Sequence, residues 1–218
     1  MRLYHFLNEH YGLENIRNQR LKIARINDLN DPFEFLGVNF GDKSIRNAFQ
    51  KMKNRINEQR GLLCFSTKWS NPVMWSHYAN NHKGLCLGFD VANESIGPVS
   101  YSASRLAVDL EQLKSPNDLS IEYITQILFT KYTHWKYENE YRAFVTLEEA
   151  DEKTGHYFAE FSERLILKQV IVGAESSISR KQLSEALGTK LQNVEQLKAR
   201  LAFKSFSVVK QRDRVLWR

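Results

Sequence analysis

The sequence has little cysteine, proline or glycine. Its 218 residues include two Cys, four Pro and ten Gly, which excludes a disulfide-rich secreted scaffold, a proline-rich linker and a collagen-like repeat. Cys64 and Cys86 each lie within a short apolar run, so we expect buried free thiols and no disulfide. Every apolar run is far shorter than the roughly 20 residues of a membrane-spanning helix, so no membrane contact is expected.

The composition is that of a globular protein. Hydrophobic residues make up 42% and charged residues 26%, far from the low hydrophobicity and high charge of disordered chains. The length and the absence of repeats or linkers predict a single domain over residues 1–218. The N-terminus lacks the apolar core and cleavage site of a secretory signal, which predicts a cytoplasmic protein.

Several common motifs are missing. Neither Gly-x-Gly-x-x-Gly nor Gly-x-x-x-x-Gly-Lys occurs, which argues against dinucleotide-binding and P-loop folds. The six His residues show no metal-ligand spacing, and there is no Cys-x-x-Cys pair, so we expect no metal site.

Apolar periodicity predicts strands and helices in no regular alternation. Strands are predicted over 2–7, 21–25, 62–66, 84–90, 98–108, 140–145, 165–172 and 203–209, and helices over 8–20, 43–59, 74–80, 119–129 and 180–202. A turn is predicted over 27–32 and a polar aromatic loop over 131–139. This order favours an α+β fold, with a mixed, largely antiparallel sheet and flanking helices.

The positive charge is concentrated in two segments. Residues 43–60 hold six Lys or Arg against Glu58, and residues 196–218 hold seven against Asp213. Such segments favour contact with a polyanion, including nucleic acid. The alternative interpretation is a solvated helix face and a soluble tail.

Three further segments combine aromatic and polar groups. They are Tyr4-His5, the region from Cys64 to Ala79 with Ser66, Trp75 and Tyr78, and Trp135 to Arg142. In the last segment, Glu138 and Glu140 are two residues apart, so in extended backbone both carboxylates share one face.

These segments together resemble the bacterial domain-of-unknown-function family 2971. The resemblance covers about residues 1–145 and rests mainly on Asn30-Asp31-Pro32-Phe33-Glu34 and Met74-Trp75-Ser76-His77-Tyr78-Ala79. The family name implies no activity.

The order of the segments is also similar to that of ADP-ribosyltransferases. That class carries an Arg or His on a first strand, a Ser or aromatic residue on a second and Glu-x-Glu or Gln-x-Glu at the start of a later strand, which correspond here to His5, Ser66 and Glu138-Asn139-Glu140. The resemblance implies an ADP-ribosyltransferase-like fold with NAD as substrate. Breaking the nicotinamide–ribose bond builds positive charge on the ribose, which a carboxylate stabilises.

The resemblance implies a role for each candidate residue. Glu140 is the candidate for bonding the ribose 2′-hydroxyl, and Glu138 for orienting or deprotonating the nucleophile. Arg142, or alternatively Arg25, would pair with the pyrophosphate. The residues implied to bind NAD are Tyr4, His5, Ser66, Trp75, Tyr78 and Arg142.

Two features depart from the transferase pattern. Phe65-Ser66-Thr67 matches the Ser-Thr-Ser of that class only in part. Asn30–Glu34 has no counterpart, and it is either an ordered turn or part of the site. If it lines the site, Glu34 competes with Glu140 for the catalytic role.

The leading hypothesis is therefore an NAD-dependent ADP-ribosyltransferase-like enzyme. It would modify a macromolecular acceptor, protein or nucleic acid, as a toxin or phage-defence effector. One alternative is a nuclease or other nucleic-acid-processing enzyme that uses His77, His82 and the carboxylates. Another is a non-catalytic module that binds a nucleotide or a partner protein.

Overall fold

The fold is α+β, as predicted, and centres on a mixed, mostly antiparallel sheet. The computed structural model describes residues 1–31, 33–35, 43–106 and 121–217. The strands are β1 (Arg2–Leu7), β2 (Arg20–Lys22), β3 (Ala24–Arg25), β4 (Arg60–Ser66), β5 (Leu85–Val91), β6 (Gly97–Pro98), β7 (Ser100–Ser102), β8 (Thr130–Tyr132), β9 (Glu140–Thr146), β10 (Phe158–Glu160), β11 (Leu165–Val172), β12 (Glu195–Leu201) and β13 (Val208–Lys210). The helices are α1 (Glu9–Asn18), α2 (Lys43–Gln59), α3 (Pro72–Tyr78), α4 (Ile121–Leu128) and α5 (Arg180–Leu187).

Nine strands form the main sheet. Their order is β13-β12-β11-β5-β1-β4-β9-β6, with β3 also paired to β4. Within it β11 and β12 run parallel, and the other pairs are antiparallel. Strands β2 and β10 form one small sheet, and β7 and β8 form another.

The main sheet is nearly divided between β1 and β4. Strand β1 shares six residue pairs with β5, and β4 shares seven with β9, but β1 and β4 share the single pair Tyr4–Ser66. We call β13, β12, β11, β5 and β1 the first half-sheet, and β3, β4, β9 and β6 the second. Where β1 and β4 separate, the sheet leaves room for a cavity.

Apolar side chains cover both faces of this sheet. The largest buried cluster includes Leu3, Leu87 and Phe89, and it extends to Ile16 of α1 and Leu183 of α5. Asn8 caps α1 by accepting a hydrogen bond from the Tyr11 N–H at 2.9 Å.

The opposite face carries two smaller apolar clusters. One contains Phe6 of β1 and Trp75 of α3, and the other joins Phe49 of α2, Leu62 of β4 and Ile127 of α4. The two clusters place α3 over β1 and α2 and α4 over β4.

Several predicted elements are confirmed. Strands 2–7 and 165–172 and helix 43–59 have the predicted bounds. Strand 62–66 starts two residues earlier, strand 84–90 spans 85–91 and strand 140–145 extends to Thr146. Helix 8–20 is shorter, over 9–18, and helix 74–80 lies over 72–78.

The strand predicted over 21–25 is two strands, β2 and β3. The backbone N–H of Ile23 still donates to the Tyr157 carbonyl beside β10, at 2.8 Å. Ala24 then pairs with Leu62 of β4, so the chain changes partner after Ile23. The turn predicted over 27–32 overlaps a 3-10 helix over Ile26–Asp28. Pro32 lies outside the described residues.

The C-terminal assignments need correction. The helix predicted over 180–202 ends at Leu187, because Gly188 adopts φ 57° and breaks the helical path. Residues 195–201 instead form β12, in which Leu197 and Ala199 alternate with less buried positions. The final strand predicted over 203–209 is confirmed only at 208–209, which belong to β13, since 203–207 forms a largely exposed loop.

Three predicted segments between β5 and β9 differ from the structure. In place of the single strand predicted over 98–108, the structure has two short strands, β6 and β7. Residues 107–108 lie outside the described residues. The helix predicted over 119–129 is described as α4 over 121–128. The loop predicted over 131–139 contains β8 and a 3-10 helix over Thr133–Glu138.

Cys64 and Cys86 are free thiols. Across the described part of the chain, no helix combines the length and apolarity needed to cross a bilayer.

Candidate functional site

A cavity of about 140 Å³ lies where the two half-sheets separate. It is bordered by β1, β2, β3 and β4, by α3, by β8 and β9 and by the 3-10 helix between those two strands. Its lining is Tyr4, His5, Phe6, Lys22, Ala24, Leu29, Asn30, Leu62, Cys64, Phe65, Ser66, Met74, Tyr78, Lys131, Glu138, Glu140 and Arg142.

Strand register brings several of these side chains together. Cys64 of β4 lies opposite Arg142 of β9, and Ser66 lies opposite Glu140. Residues paired across an antiparallel ladder, and residues two apart on one strand, share a face of the sheet. Tyr4 of β1 pairs with Ser66 at the junction of the half-sheets.

Five charged side chains form a buried cluster beside the cavity. Glu34, Lys131, Glu138, Glu140 and Arg142 are each no more than 5% exposed. We call these five residues the charge cluster. With all five ionised, three carboxylates face two cations, so the charge cluster carries one excess negative charge.

Arg142 is the centre of the charge cluster. Its Nε and Nη2 donate to the two carboxylate oxygens of Glu140, at 2.7 and 3.0 Å. Its Nη1 donates to Glu34 Oε2 at 2.9 Å, and Nη2 donates to Glu34 Oε1. Nη1 also donates to the Leu128 carbonyl at 2.8 Å. One planar guanidinium thus binds two carboxylates side by side.

Lys131 connects all three carboxylates. Its Nζ lies 2.7 Å from Glu138 Oε2, 3.3 Å from Glu140 Oε2 and 3.5 Å from Glu34 Oε1. Burial opposes the ammonium form, but these carboxylates outweigh it and raise the pKa of Lys131. The sequence placed Lys131 in a loop and assigned it no role.

Glu138 keeps free acceptor positions. The Tyr78 hydroxyl donates to its Oε1, and Lys131 donates to its Oε2. A carboxylate offers about four lone-pair positions, so two remain. Burial raises the pKa of Glu138, because Lys131 and Tyr78 only partly offset the loss of solvent.

Glu140 is held much more tightly. Burial opposes its ionisation, but Arg142 and then Lys131 outweigh that effect and lower the pKa of Glu140 to about 2. Both oxygens already accept from Arg142, and Oε2 also faces Lys131. Glu140 therefore mainly holds the cations in place, whereas Glu138 has room to meet a ligand.

A network of hydrogen bonds orients Glu138. Ser66 Oγ donates to the Glu138 backbone carbonyl at 2.6 Å. Asn71, which caps α3, also donates through Nδ2 to the Tyr137 carbonyl at 2.9 Å. Asn139 then adopts φ 45°, and this turn directs the chain into β9.

Most of the predicted site residues meet at the cavity. Tyr4, His5, Ser66, Tyr78, Glu138, Glu140 and Arg142 all line it. His5 Nδ1 lies 2.8 Å from the Cys64 carbonyl, and burial lowers the pKa of this imidazole.

Trp75 lies elsewhere. It is fully buried, its Nε1 donates to the Trp69 carbonyl at 2.6 Å, and its ring packs edge-on against Phe6. It does not line the cavity, so Tyr78 is the aromatic residue of α3 that can contact a ligand there.

The other candidates also lie outside the cavity lining. His77 Nδ1 lies 2.8 Å from the Tyr137 hydroxyl, and His82 Nε2 lies 3.3 Å from Ser76 Oγ. Arg25 donates to the Asn57 carbonyl. In the described ranges, no group of three His, Cys, Asp or Glu side chains is arranged to hold a metal.

The segment Asn30–Glu34 contributes directly to the site. Asn30 lines the cavity and donates to the Tyr78 hydroxyl, and Asp31 Oδ1 accepts from the Phe33 N–H at 2.9 Å. Glu34 is paired with Arg142. The segment is therefore both an ordered turn and a wall of the site.

Fold and site together define an α+β protein with a divided sheet and a buried charge cluster at the division. Residues 74–143 match the model of the family described as Protein of unknown function (DUF2971). The match spans Tyr78, Lys131, Glu138, Glu140 and Arg142, and it supports the family resemblance seen in the sequence. No curated protein and no solved structure matches the chain.

Proposed function

We propose that the cavity receives the nicotinamide ribose end of NAD and that the protein transfers ADP-ribose from NAD to a macromolecule. The observation that supports this function is the convergence of side chains that are distant in the chain. His5 of β1, Ser66 of β4, Tyr78 of α3 and the pair Glu138 and Glu140 all line one cavity. They are the residues that the transferase-like motif order singled out.

The charge of the site suits this reaction. As the bond between nicotinamide and ribose C1′ breaks, its electron pair leaves on nicotinamide and positive charge develops on the ribose. The charge cluster has one more carboxylate than it has cations, and it is shielded from water. A fixed negative charge in such surroundings stabilises a developing cation more strongly than it would in water.

Glu138 is the proposed catalytic carboxylate. Its two unused acceptor positions can receive the ribose 2′-hydroxyl, and its raised pKa makes it a stronger base toward the proton of the acceptor. The acceptor's nucleophile loses that proton to Glu138 and forms the new bond to C1′. Glu140 is proposed to position the site through Arg142, not to contact the ribose.

The test is nicotinamide release from labelled NAD in the presence of a cell lysate. We expect Glu138→Gln to lower the rate by about 100-fold or more while leaving the urea unfolding curve close to that of the wild type. Glu185→Gln is the matched control, because Glu185 lies exposed on α5, and we expect full activity from it.

The labelled product identifies the acceptor. Protease-sensitive label would indicate a protein, and nuclease-sensitive label would indicate a nucleic acid. If the wild type releases no nicotinamide and NAD does not raise its Tm, the proposed function is wrong.

A further inference from the structure

The hairpin between β12 and β13 ends in an exposed aromatic loop. Phe203 is 92% and Phe206 102% exposed, so neither ring is covered by the rest of the chain. The Ala202 N–H donates to the Ser207 carbonyl at 3.0 Å and closes the loop. The two rings are thus displayed on an ordered hairpin.

Four cations surround a hollow at the base of this loop. The hollow has a volume of about 350 Å³, and its lining contains Arg200, Lys204, Lys210 and Arg212 but no carboxylate. The Arg200 guanidinium lies 4.7 Å from the centre of the Phe203 ring. Lys210 Nζ lies 3.2 Å from Glu195 Oε1, so its charge is partly offset.

The positive surface continues beyond the hairpin. A second hollow of about 390 Å³ shares Lys210 and Arg212 with the first and adds Arg180 and Lys198. Its one lining carboxylate belongs to Asp213. Several side chains of one charge sign therefore follow the same edge of the first half-sheet.

We propose that residues 200–212 form a binding surface for single-stranded nucleic acid. Unpaired bases stack on exposed aromatic rings, and Lys and Arg side chains contact the phosphates that link the bases. Phe203 and Phe206 provide the rings, and Arg200, Lys204 and Arg212 provide the cations. Duplex bases are already stacked on one another, so a duplex gains less from these rings.

The order of residues in the loop favours nucleic acid over a lipid surface. Lys204 and Ser205 lie between the two Phe residues and are exposed. Insertion of both rings into a bilayer would carry the ammonium of Lys204 with them, which is unfavourable. On a nucleic acid strand, the same ammonium would meet the phosphate between two stacked bases.

This surface is separate from the cavity. Strands β11, β5 and β1 lie between β12 and β4 in the sheet, which corresponds to about 20 Å at the usual spacing of strands. Binding at the hairpin therefore does not depend on the proposed NAD chemistry. If both proposals hold, the hairpin would bring a nucleic acid acceptor to the enzyme.

The test is fluorescence anisotropy of the full chain with labelled oligo(U) and oligo(dT) of about 12 nucleotides. The two oligonucleotides distinguish RNA from DNA. We expect binding that weakens steeply as salt rises from about 50 to 200 mM. We expect the double variant Phe203→Ser and Phe206→Ser to bind at least about tenfold more weakly.

Matched controls separate the hairpin from general effects. Tyr11→Ser removes an aromatic ring that is 54% exposed on α1, and Lys153→Gln removes an exposed cation from another turn. Both should bind as the wild type does. Lys204→Gln should reduce the slope of log affinity against log salt by about one.

Three results would overturn the proposal. One is no binding of either oligonucleotide at low salt. Another is equal binding by the wild type and the double Phe variant, which would assign binding to a surface such as α2. The third is hairpin-dependent binding to phosphatidylserine vesicles without binding to oligonucleotides. The nicotinamide assay tests the proposed function separately, so none of these three results decides that proposal.

Discussion

Arg142 binds Glu34, which lies 108 residues earlier in the chain, through both terminal nitrogens of its guanidinium. The contact joins the turn before α2 to strand β9. Because Arg142 also binds Glu140 on its own strand, one side chain fixes the position of two carboxylates. The wall of the cavity therefore depends on a contact between distant segments.

Replacement of Arg142 should strongly destabilise the protein. Arg142→Met leaves Glu34 and Glu140 buried with Lys131 as their remaining cation, and loss of one partner of a buried ion pair costs about 3–5 kcal/mol. Urea unfolding measures this change. Arg2→Met is the control, because Arg2 and Asp90 form an exposed pair, for which we expect a loss of less than about 1 kcal/mol. Similar losses for both variants would contradict the arrangement described here.

Acid should weaken the fold through Glu140. Its pKa is lowered to about 2 in the folded protein from an ordinary value of 4.5. Its contribution to the free energy of unfolding is therefore complete above about pH 4.5 and is lost as the pH falls toward 2. Glu138, whose pKa is raised, contributes with the opposite sign.

The measurement for Glu140 is urea unfolding at several pH values between about 5 and 3. Glu140→Gln should be less stable than the wild type at the upper end of this range, and its stability should fall less steeply with acid. A variant whose pH dependence equals that of the wild type would show that Glu140 does not titrate in this way.

Ser66 should act as a positioning residue. Its Oγ donates to the Glu138 carbonyl at 2.6 Å and accepts from the Lys68 N–H at 3.3 Å. Ser66→Ala leaves a buried acceptor without its donor, so we expect a loss of about 1–3 kcal/mol in the free energy of unfolding. Ser205→Ala, in the exposed hairpin loop, should have little effect, and an equally small effect for Ser66→Ala would argue against this role.

Gly173 should not tolerate a side chain. A Cβ atom there would lie 2.1 Å from the His82 carbonyl oxygen, which is a backbone atom and cannot swing away. We expect Gly173→Ala to cost about 1–3 kcal/mol or more, as overpacking does. Gly155→Ala is the comparison, since Gly155 has φ 67° and no atom within 4 Å of an added Cβ.

The two glycine variants separate steric conflict from backbone strain. A left-handed residue costs roughly 1–2 kcal/mol when it is not glycine, so Gly155→Ala should show that cost alone. Thermal unfolding of both variants measures the difference. If Gly173→Ala is the more stable of the two variants, the backbones of Gly173 and His82 are not as close as described.

Local patterns in the sequence predict much of the fold. Strands β1 and β11 carry alternating or continuous apolar residues, and α2 carries apolar residues at helical spacing. Each of these elements is therefore predictable from its own residues alone. Residues 188–202 were misassigned because their apolar positions fit either period, and pairing with β11 decides for a strand. That pairing forms only in the folded sheet, and the periodicity of a single sequence does not reveal it.

The site was predictable only in part. The spacing of Glu138 and Glu140 and the motif order located seven of the seventeen residues that line the cavity. Lys131 was missed because a single Lys in a polar segment has no distinguishing pattern. The difference between Glu138 and Glu140 was also hidden, since it depends on Arg142 reaching both Glu140 and Glu34 in three dimensions.

The two half-sheets are interleaved along the chain. Among the described strands, the chain passes from β1 to β3, from β4 back to β5, from β5 to β6 and from β9 to β11, and it changes half-sheet each time. No single cut in the chain separates one half-sheet from the other. The residues that line the cavity extend from Tyr4 to Arg142, so a truncation between these two positions removes part of the lining. The cavity forms only after long-range pairings that close slowly during folding.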